Sequence, residues 1–347
     1  MTETRKAVAL ISGGLDSMLA TKVIQDQGIH VEGINFYTGF CVEGHTHAIR
    51  KKDRQKPKRN NALWTAEQLG IKLHIIDIVE DYKDVLMNPK HGYGANLNPC
   101  LDCKIFMVNR ALQWADEHGF DFIITGEVIG QRPKSQRKKT MPIIAEESGA
   151  HDRLLRPLCA QNLPETLPER EGWVDRSKLH GFSGRSRKPQ IALARTYGLE
   201  DFAQPAGGCC FLTDPNYASK LGDMWQHQGN RQYELDDIML LKVGRHVRPN
   251  DRFKMIIGRE EGENNFLSGY RKQFPCLRTS GFAGPLVLLD GQPNTDDIEL
   301  AARITARFSQ GKSAEEVDVM MTSPDGHEKC LSVKPMGTSE IPSDWYL

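Results

Sequence analysis

No stretch of the 347-residue sequence approaches the ~20 consecutive apolar residues that span a bilayer. The apolar run in MTETRKAVALIS leads into a glycine loop and lacks a signal-cleavage pattern. Net charge is lacking too. The 45 Lys and Arg residues are matched by 45 Asp and Glu residues, so any nucleic-acid surface must come from local clustering. There is no internal repeat and no low-complexity tract. No second C-x-x-C accompanies Cys100 and Cys103, although a complete four-cysteine zinc site normally shows one. His180 and Asp152 show no triad spacing. These absences leave a chain expected to be cytoplasmic, with no membrane partner, and its 39% hydrophobic content suffices for two or three cores.

What is present begins with alternation. KAVALIS, HVEGINFY, IKLHIIDI and FDFIITGE read as strands. Leu15–Gln27, NNALWTAEQLG and CKIFMVNRALQWADEHG read as helices between them. Strand–helix alternation of this kind predicts an α/β fold, a doubly wound parallel sheet with helices on both faces. Ligands of such sheets bind at the carboxyl ends of the strands, so the loop after the first strand, FYTGF and TGEVIGQ should share one crevice.

Three basic loops accompany that crevice. Seven of the ten residues from Arg50 to Arg59 are basic. GQRPKSQRKKT adds Arg132, Lys134, Arg137, Lys138 and Lys139, and GFSGRSRKPQ adds Arg185, Arg187 and Lys188. One such run is an ordinary solvated loop. Three around one crevice point to a nucleic-acid phosphate track. From about Tyr233 the character changes. DIMLLKVGRHVRPNDRFKMIIGREEGENNFLSGY reads as short strands between charged turns, TDDIELAARITARFSQG as an amphipathic helix, and the last strands as a hairpin turning at Pro324-Asp325-Gly326. This is a separate α+β module.

The chemistry concentrates in Ser12-Gly13-Gly14-Leu15-Asp16-Ser17, a tight loop between the first strand and the first helix. Glycines let the backbone approach an anion, a helix N-terminus faces it, and Ser12 and Ser17 offer hydroxyls. The Gly-Lys-Ser/Thr ending of a Walker A loop is absent. Asp16 suits a phosphate site only with a divalent cation between carboxylate and phosphate. The eight cysteines are unevenly placed. Cys100 and Cys103 stand where a helix begins, a position that favours thiolate, and Cys209-Cys210 form a second pair. His45 and His47 beside Cys41 are more simply a polar loop, and Cys159, Cys276 and Cys330 read as packing residues.

SGGLDS resembles the PP-loop of the ATP-pyrophosphatase superfamily, an adenine nucleotide alpha hydrolase-like fold whose members cleave ATP between the α- and β-phosphates. The surroundings narrow this to tRNA thiouridine synthases of the MnmA/ThiI type. Asn98, Pro99 and Cys103 match the segment that carries the first catalytic cysteine in MnmA. Gly208-Cys209-Cys210-Phe211-Leu212 matches the second and selects Cys210. ITGEVIGQRPKSQ followed by LLRPL is similar to ThiI instead, and LLKVGRHVR with KMIIGREEGEN resembles an NFACT-R domain.

The resemblance implies ATP-dependent uridine thiolation with Asp16, Cys103 and Cys210 as catalytic residues. ATP and Mg²⁺ would be held by Ser12, Gly13, Gly14, Asp16, Ser17, Phe36, Gly126 and Gln131. Cys100 departs from well-known MnmA enzymes, and in related thiolases a set like Cys100, Cys103 and Cys210 is implied to hold a [4Fe–4S] cluster, with Cys209 as an alternative third ligand. Without that cluster, the fallback is a persulfide relay between Cys103 and Cys210. The expected partners are tRNA and a sulfur donor, either sulfide or a persulfide carrier, and a homodimer is compatible. A counterpart of the ThiI domain that binds RNA is not expected ahead of the loop, and the C-terminal module is expected to contribute RNA contacts. The expected boundaries are 1–180 for the PP-loop domain, 181–232 for a linker carrying the third cysteine, and 233–347 for the NFACT-R-like domain. Two other readings remain: an amide-forming PP-loop enzyme, and a non-catalytic protein that binds ATP and RNA.

Overall fold

A computed structural model describes residues 4–42, 59–202 and 210–347. These residues form two compact units that divide between Thr213 and Asp214.

The first unit alternates as its sequence pattern indicates. Its main elements include β1 (Lys6–Leu10), α1 (Leu15–Gln25), β2 (His30–Tyr37), α2 (Asn61–Leu69), β3 (Leu73–Asp77), α3 (Tyr82–Met87), α4 (Cys100–His118), β4 (Phe122–Ile124), α5 (Thr140–Glu147), β5 (Leu154–Leu155) and α6 (Lys188–Thr196). The strands pair in parallel in the order β3-β2-β1-β4-β5. Alternation along β1 sends Ala7 and Ala9 to one face, into a core with Leu15, Leu19 and Ile24 of α1. Val8 goes to the other face, with Val108, Ala111 and Ala115 of α4. Both faces are therefore covered, as a parallel sheet requires. Strand order reverses between β1 and β4, which opens the ligand crevice at their carboxyl ends. β4 is shorter than FDFIITGE suggests: the chain leaves it after Ile124, and Thr125 N–H donates to the Leu155 carbonyl at 3.1 Å.

The second unit contains α7 (Pro215–Gln228), α8 (Leu235–Leu240), β6 (Arg245–Asn250), β7 (Phe253–Ile257), α9 (Glu261–Ser268), β8 (Cys276–Thr279), β9 (Val287–Gly291), α10 (Thr295–Arg307), β10 (Val317–Thr322) and β11 (Glu328–Val333). Its antiparallel sheet runs β11-β10-β8-β9-β7-β6, and α10 buries Ala301, Ala302, Ile304 and Ala306 in the core with it. α7 belongs to this unit, with Tyr217 Oη donating to the Ile238 carbonyl at 3.0 Å. The expected run of short strands from Tyr233 includes two helices, α8 and α9. Their starts carry local carboxylate bonds: a capping box of Glu234 with Asp237, and Glu263 accepting from the Arg259 N–H at 2.8 Å. Cys159 and Cys276 are buried as packing residues, but Cys330 is exposed.

Asp297 fixes the start of α10. It accepts from the Asn294 N–H at 3.0 Å, from Asn250 at 2.8 Å and from Arg252 Nε at 2.6 Å. The Arg252 bond and its other donors hold the Asp297 carboxyl well below the usual range. The stability it contributes is therefore present above pH 3.8, the ordinary value, and is lost only as pH falls through the lowered one. Asp297→Ala is expected to cost about 2 kcal/mol, since it removes a cap and a charge-assisted bond together. Hydrogen–deuterium exchange of the α10 amides, roughly 30-fold faster in the variant, reads this locally.

Candidate functional site

The loop after β1 is built around two hydroxyls and two glycines. Gly14 caps α1 without any side-chain bond to the first-turn amides, so those N–H groups face the crevice at the helix N-terminus. Ser17 Oγ donates to the Gly14 carbonyl at 2.8 Å and accepts from the Ser12 N–H at 3.4 Å, which ties the loop across its own width. Gly13 has φ +75, and a Cβ there would lie 2.8 Å from the backbone of Asn61 and Ala62 at the start of α2. Gly126, just past β4, comes closer still: its Cβ would sit 2.4 Å from the Asp16 carbonyl carbon and the Ser17 nitrogen. The loops of β1 and β4 thus touch backbone to backbone across the switch point, which places Ser12, Gly13, Gly14, Asp16, Ser17 and Gly126 in one place.

Gln131 joins them. Its amide donates to Asp16 Oδ2 at 2.5 Å, and its oxygen accepts from Gln190 at 2.9 Å. Gln190 is fully buried. The other oxygen, Asp16 Oδ1, is buried and accepts no hydrogen bond among the described residues. Burial raises the Asp16 pKa, and the Gln131 bond with the nearby Arg187 and Arg132 charges offsets this only in part. A desolvated carboxylate oxygen with no proton donor is a costly arrangement that a divalent cation would relieve, so the residues fit Mg²⁺. Phe36 lies near the end of β2 and is buried in the core shared with β1 and α4.

Four residues here have places that the sequence reading missed. Arg187 and Gln190 come from a segment whose composition read only as basic loop, yet Gly184 N–H bonds the Ile129 carbonyl at 2.7 Å and docks that segment beside Gln131. Glu127 and Arg156 form a buried pair just beneath, with Arg156 Nε 3.0 Å from Glu127 Oε2 and Thr125 Oγ1 donating to the same oxygen at 3.0 Å. Burial pushes Glu127 up, but Lys104, Arg156 and Thr125 outweigh it and hold the carboxyl ionised. The neighbouring Cys159 thiol donates to the Glu127 carbonyl at 3.2 Å, and burial pushes it up to about 12, which removes it as a nucleophile. The only signal for this pair was its position in TGE and LLRPL.

Cysteines meet the crevice from two sides. Cys100 opens α4 and its thiol donates to Ser135 Oγ at 3.5 Å, while Cys103 lies one turn further along. Cys210 pairs with Cys41, a few residues past β2, through a short antiparallel bridge, and Phe211 N–H donates to the Phe40 carbonyl at 2.9 Å. Asn96 then ties the Cys210 segment to the loop ahead of α4 by donating to the Thr213 carbonyl at 2.8 Å. Among the described residues, no group of three His, Cys, Asp or Glu side chains converges to hold a metal ion. Cys100, Cys103 and Cys210 are thus not drawn together as one such group, and Cys209, the alternative third ligand, belongs to the residues left undescribed. Cys209, His45 and His47 lie outside the described residues, as do 50–58 of the first basic loop. Arg59, at its end, is spent within the fold, on Asp201 at 2.8 Å and over the Trp64 ring at 3.7 Å. Lys134 likewise donates to the Tyr93 carbonyl at 2.5 Å.

The family described as thiamine biosynthesis protein (ThiI) matches residues 2–165, and the NFACT protein RNA binding domain matches residues 244–346. A tRNA-specific 2-thiouridylase MnmA from Marinobacter nauticus is 30% identical over 340 residues, covering 91% of this chain and 82% of its own. Its counterpart from Christiangramia forsetii is 25% identical over 333 residues, covering 85% and 75%. The match to the MnmA of Petrotoga mobilis, at 29% identity, spans only 36% of each chain, and that of Sulfurimonas denitrificans 35% of the relative. A solved 4-thiouridine synthetase–RNA complex with bound ATP is similar at 21% identity over 69% of this chain and 52% of that one, with a TM-score of 0.41. No helix among the described residues is long and apolar enough to cross a membrane.

Proposed function

The chain belongs to the PP-loop family of tRNA thiouridine synthases, and from that premise we propose that it activates a uracil of tRNA with ATP and replaces the activated oxygen with sulfur. The observation that carries this is the meeting of an anion-binding loop and a cysteine segment at the carboxyl ends of adjacent strands, β1 and β2. ATP sits with its β,γ-phosphates on Ser12–Ser17 and its base near Phe36. Asp16 would hold Mg²⁺, which would neutralise phosphate charge. A carbonyl oxygen of uracil attacks the α-phosphate and pyrophosphate leaves. Sulfur at Cys210 then displaces AMP from the activated carbon. Loop amides lose no reorganisation energy in this, because Ser12, Ser17 and Gly126 already fix them. The target base must leave its stack to reach the crevice. The match of residues 244–346 to an RNA-binding domain supports a tRNA partner, and the sulfur reaches Cys210 as sulfane sulfur from a persulfide carrier, whose own thiol leaves.

This reading carries the sulfur on Cys210 rather than on a cluster. Anaerobic purification tests that choice: a colourless, iron-free protein that still thiolates agrees with it, and a brown one with absorbance near 400 nm overturns it. The proposal itself is checked by incubating the chain with ATP, Mg²⁺, a sulfur donor and unmodified tRNA. We expect pyrophosphate release and a thiouridine by nucleoside mass spectrometry. Cys210→Ala should lower thiouridine by more than about 100-fold and leave tRNA-dependent pyrophosphate release within a few-fold. Full thiouridine yield from that variant would refute cysteine-borne sulfur. An absence of pyrophosphate release by the unaltered chain would leave a binding protein.

A further inference from the structure

Cys41 and Cys210 face each other where neither backbone bonds the other directly. The Phe211-to-Phe40 bond at 2.9 Å joins the residues that flank the pair, so the two cysteines occupy a non-hydrogen-bonded position of an antiparallel bridge. Facing Cα atoms there are about 4.5 Å apart, with side chains on the same side. A disulfide spans Cα separations of about 4.4–6.8 Å, so this backbone accepts one without moving apart or together. No disulfide joins the two in the structure. The Cys41 sulfur lies 3.5 Å from Thr38 Oγ1 and 4.0 Å from the Phe36 carbonyl. The Cys210 sulfur accepts the Leu212 N–H at 3.3 Å, a contact that steadies negative charge on it as it leaves or attacks. Cys100, in contrast, spends its thiol proton on Ser135.

We propose that Cys41 is the resolving thiol for sulfur carried on Cys210, an assignment that rests on the thiolation reading above. Sulfur arrives as a persulfide on Cys210. Its terminal sulfur attacks the adenylated carbon, AMP leaves with the oxygen, and the base is left joined to Cys210 through an S–S bond. Cys41, its proton given to water, attacks the Cys210 sulfur. The Cys41–Cys210 bond forms, the bond between Cys210 and the base sulfur breaks, and the electron pair departs on that sulfur to become the thiocarbonyl. The carried sulfur is reduced and the two thiols are oxidised to a disulfide. A dithiol reductant supplies two electrons and two protons to reopen it for the next turnover.

Two measurements test this separately from the reading beneath it. The full chain is first treated with one equivalent of diamide, blocked with N-ethylmaleimide, digested, and mapped by mass spectrometry with fragment ions that separate Cys209 from Cys210. The expected product is a Cys41–Cys210 link that persists in Cys103→Ser; a dominant Cys103–Cys210 link overturns the proposal. Next, in single turnover with tRNA, ATP and a persulfide donor, Cys41→Ser is expected to accumulate a tRNA–protein adduct at least tenfold above the unaltered chain. Dithiothreitol should release that adduct as thiolated tRNA, a signature that damage to packing does not produce. If Cys103→Ser accumulates the adduct and Cys41→Ser does not, Cys41 loses its role and the thiolation reading stands. If the unaltered chain makes neither thiouridine nor pyrophosphate, both fall.

Discussion

Gly126→Ala is expected to remove tRNA-dependent pyrophosphate release almost entirely. The added methyl would lie 2.4 Å from the Asp16 carbonyl carbon and from the Ser17 nitrogen, both backbone atoms with no rotamer to yield. The start of α1 must then move away from the β4 loop, and the anion-binding amides move with it. A displacement of about 1 Å at a catalytic centre can cost about 100-fold in rate, and we expect at least that. Overpacking of this kind also costs about 1–3 kcal/mol, read as a lower urea midpoint. Gly222→Ala serves as the control, because its new Cβ meets nothing within 4 Å and it lies within α7. That variant should keep full activity and gain up to about 1 kcal/mol from the helical preference of alanine. Pyrophosphate release by Gly126→Ala within tenfold of the unaltered chain would mean that the contact does not set the loop.

Asp16→Asn should separate stability from activity in opposite directions. Burial holds the folded pKa of Asp16 above its ordinary 3.8. Its favourable contribution is thus complete below that value and is lost as pH rises through the folded pKa, so at neutral pH the ionised side chain destabilises the unliganded protein. Asparagine keeps an oxygen for Gln131 and removes the charge. The melting temperature of the unliganded variant is expected to rise at pH 7.5, with the gap closing toward pH 3.5 as the native carboxyl takes its proton. Pyrophosphate release should fall by a factor on the order of 10²–10³, the scale for removing one electrostatic element from a phosphoryl-transfer site. ATP with Mg²⁺ should raise the melting temperature of the native chain and leave that of the variant nearly unchanged. A variant less stable than the native chain at pH 7.5 would contradict a buried, uncompensated carboxylate.

Much of the site was legible because it depends on local chain geometry. Strand, tight turn and helix follow one another from Lys6 to Gln25, so the anion loop could be read from residue types and periodicity alone. Gly126 and Gln131 were reached through a motif resemblance, but their use of Asp16 as neighbour, across more than 100 residues, was not visible. Arg187 and Gln190 were hidden for a related reason. A basic composition says that a loop is charged, whereas the bond of Gly184 to Ile129 decides where that charge goes. Arg59 and Lys134 show the reverse, basic residues whose hydrogen bonds lie inside the fold. Glu127 and Arg156 give no local pattern beyond their places in TGE and LLRPL, because a buried ion pair between separate segments is a property of packing.

The sequence by itself determined the parallel α/β unit, the phosphate loop with Asp16, and a distinct C-terminal α+β module, since each follows from periodicity and turn chemistry within a few dozen residues. The family resemblance pointed further to Cys210, with Cys209 as its alternative. Which cysteine faces Cys210 across a backbone bridge was left to the tertiary structure, because spacing along a chain says nothing of distance across strands. The resemblance paired Cys210 with Cys103; the backbone bridge pairs it with Cys41.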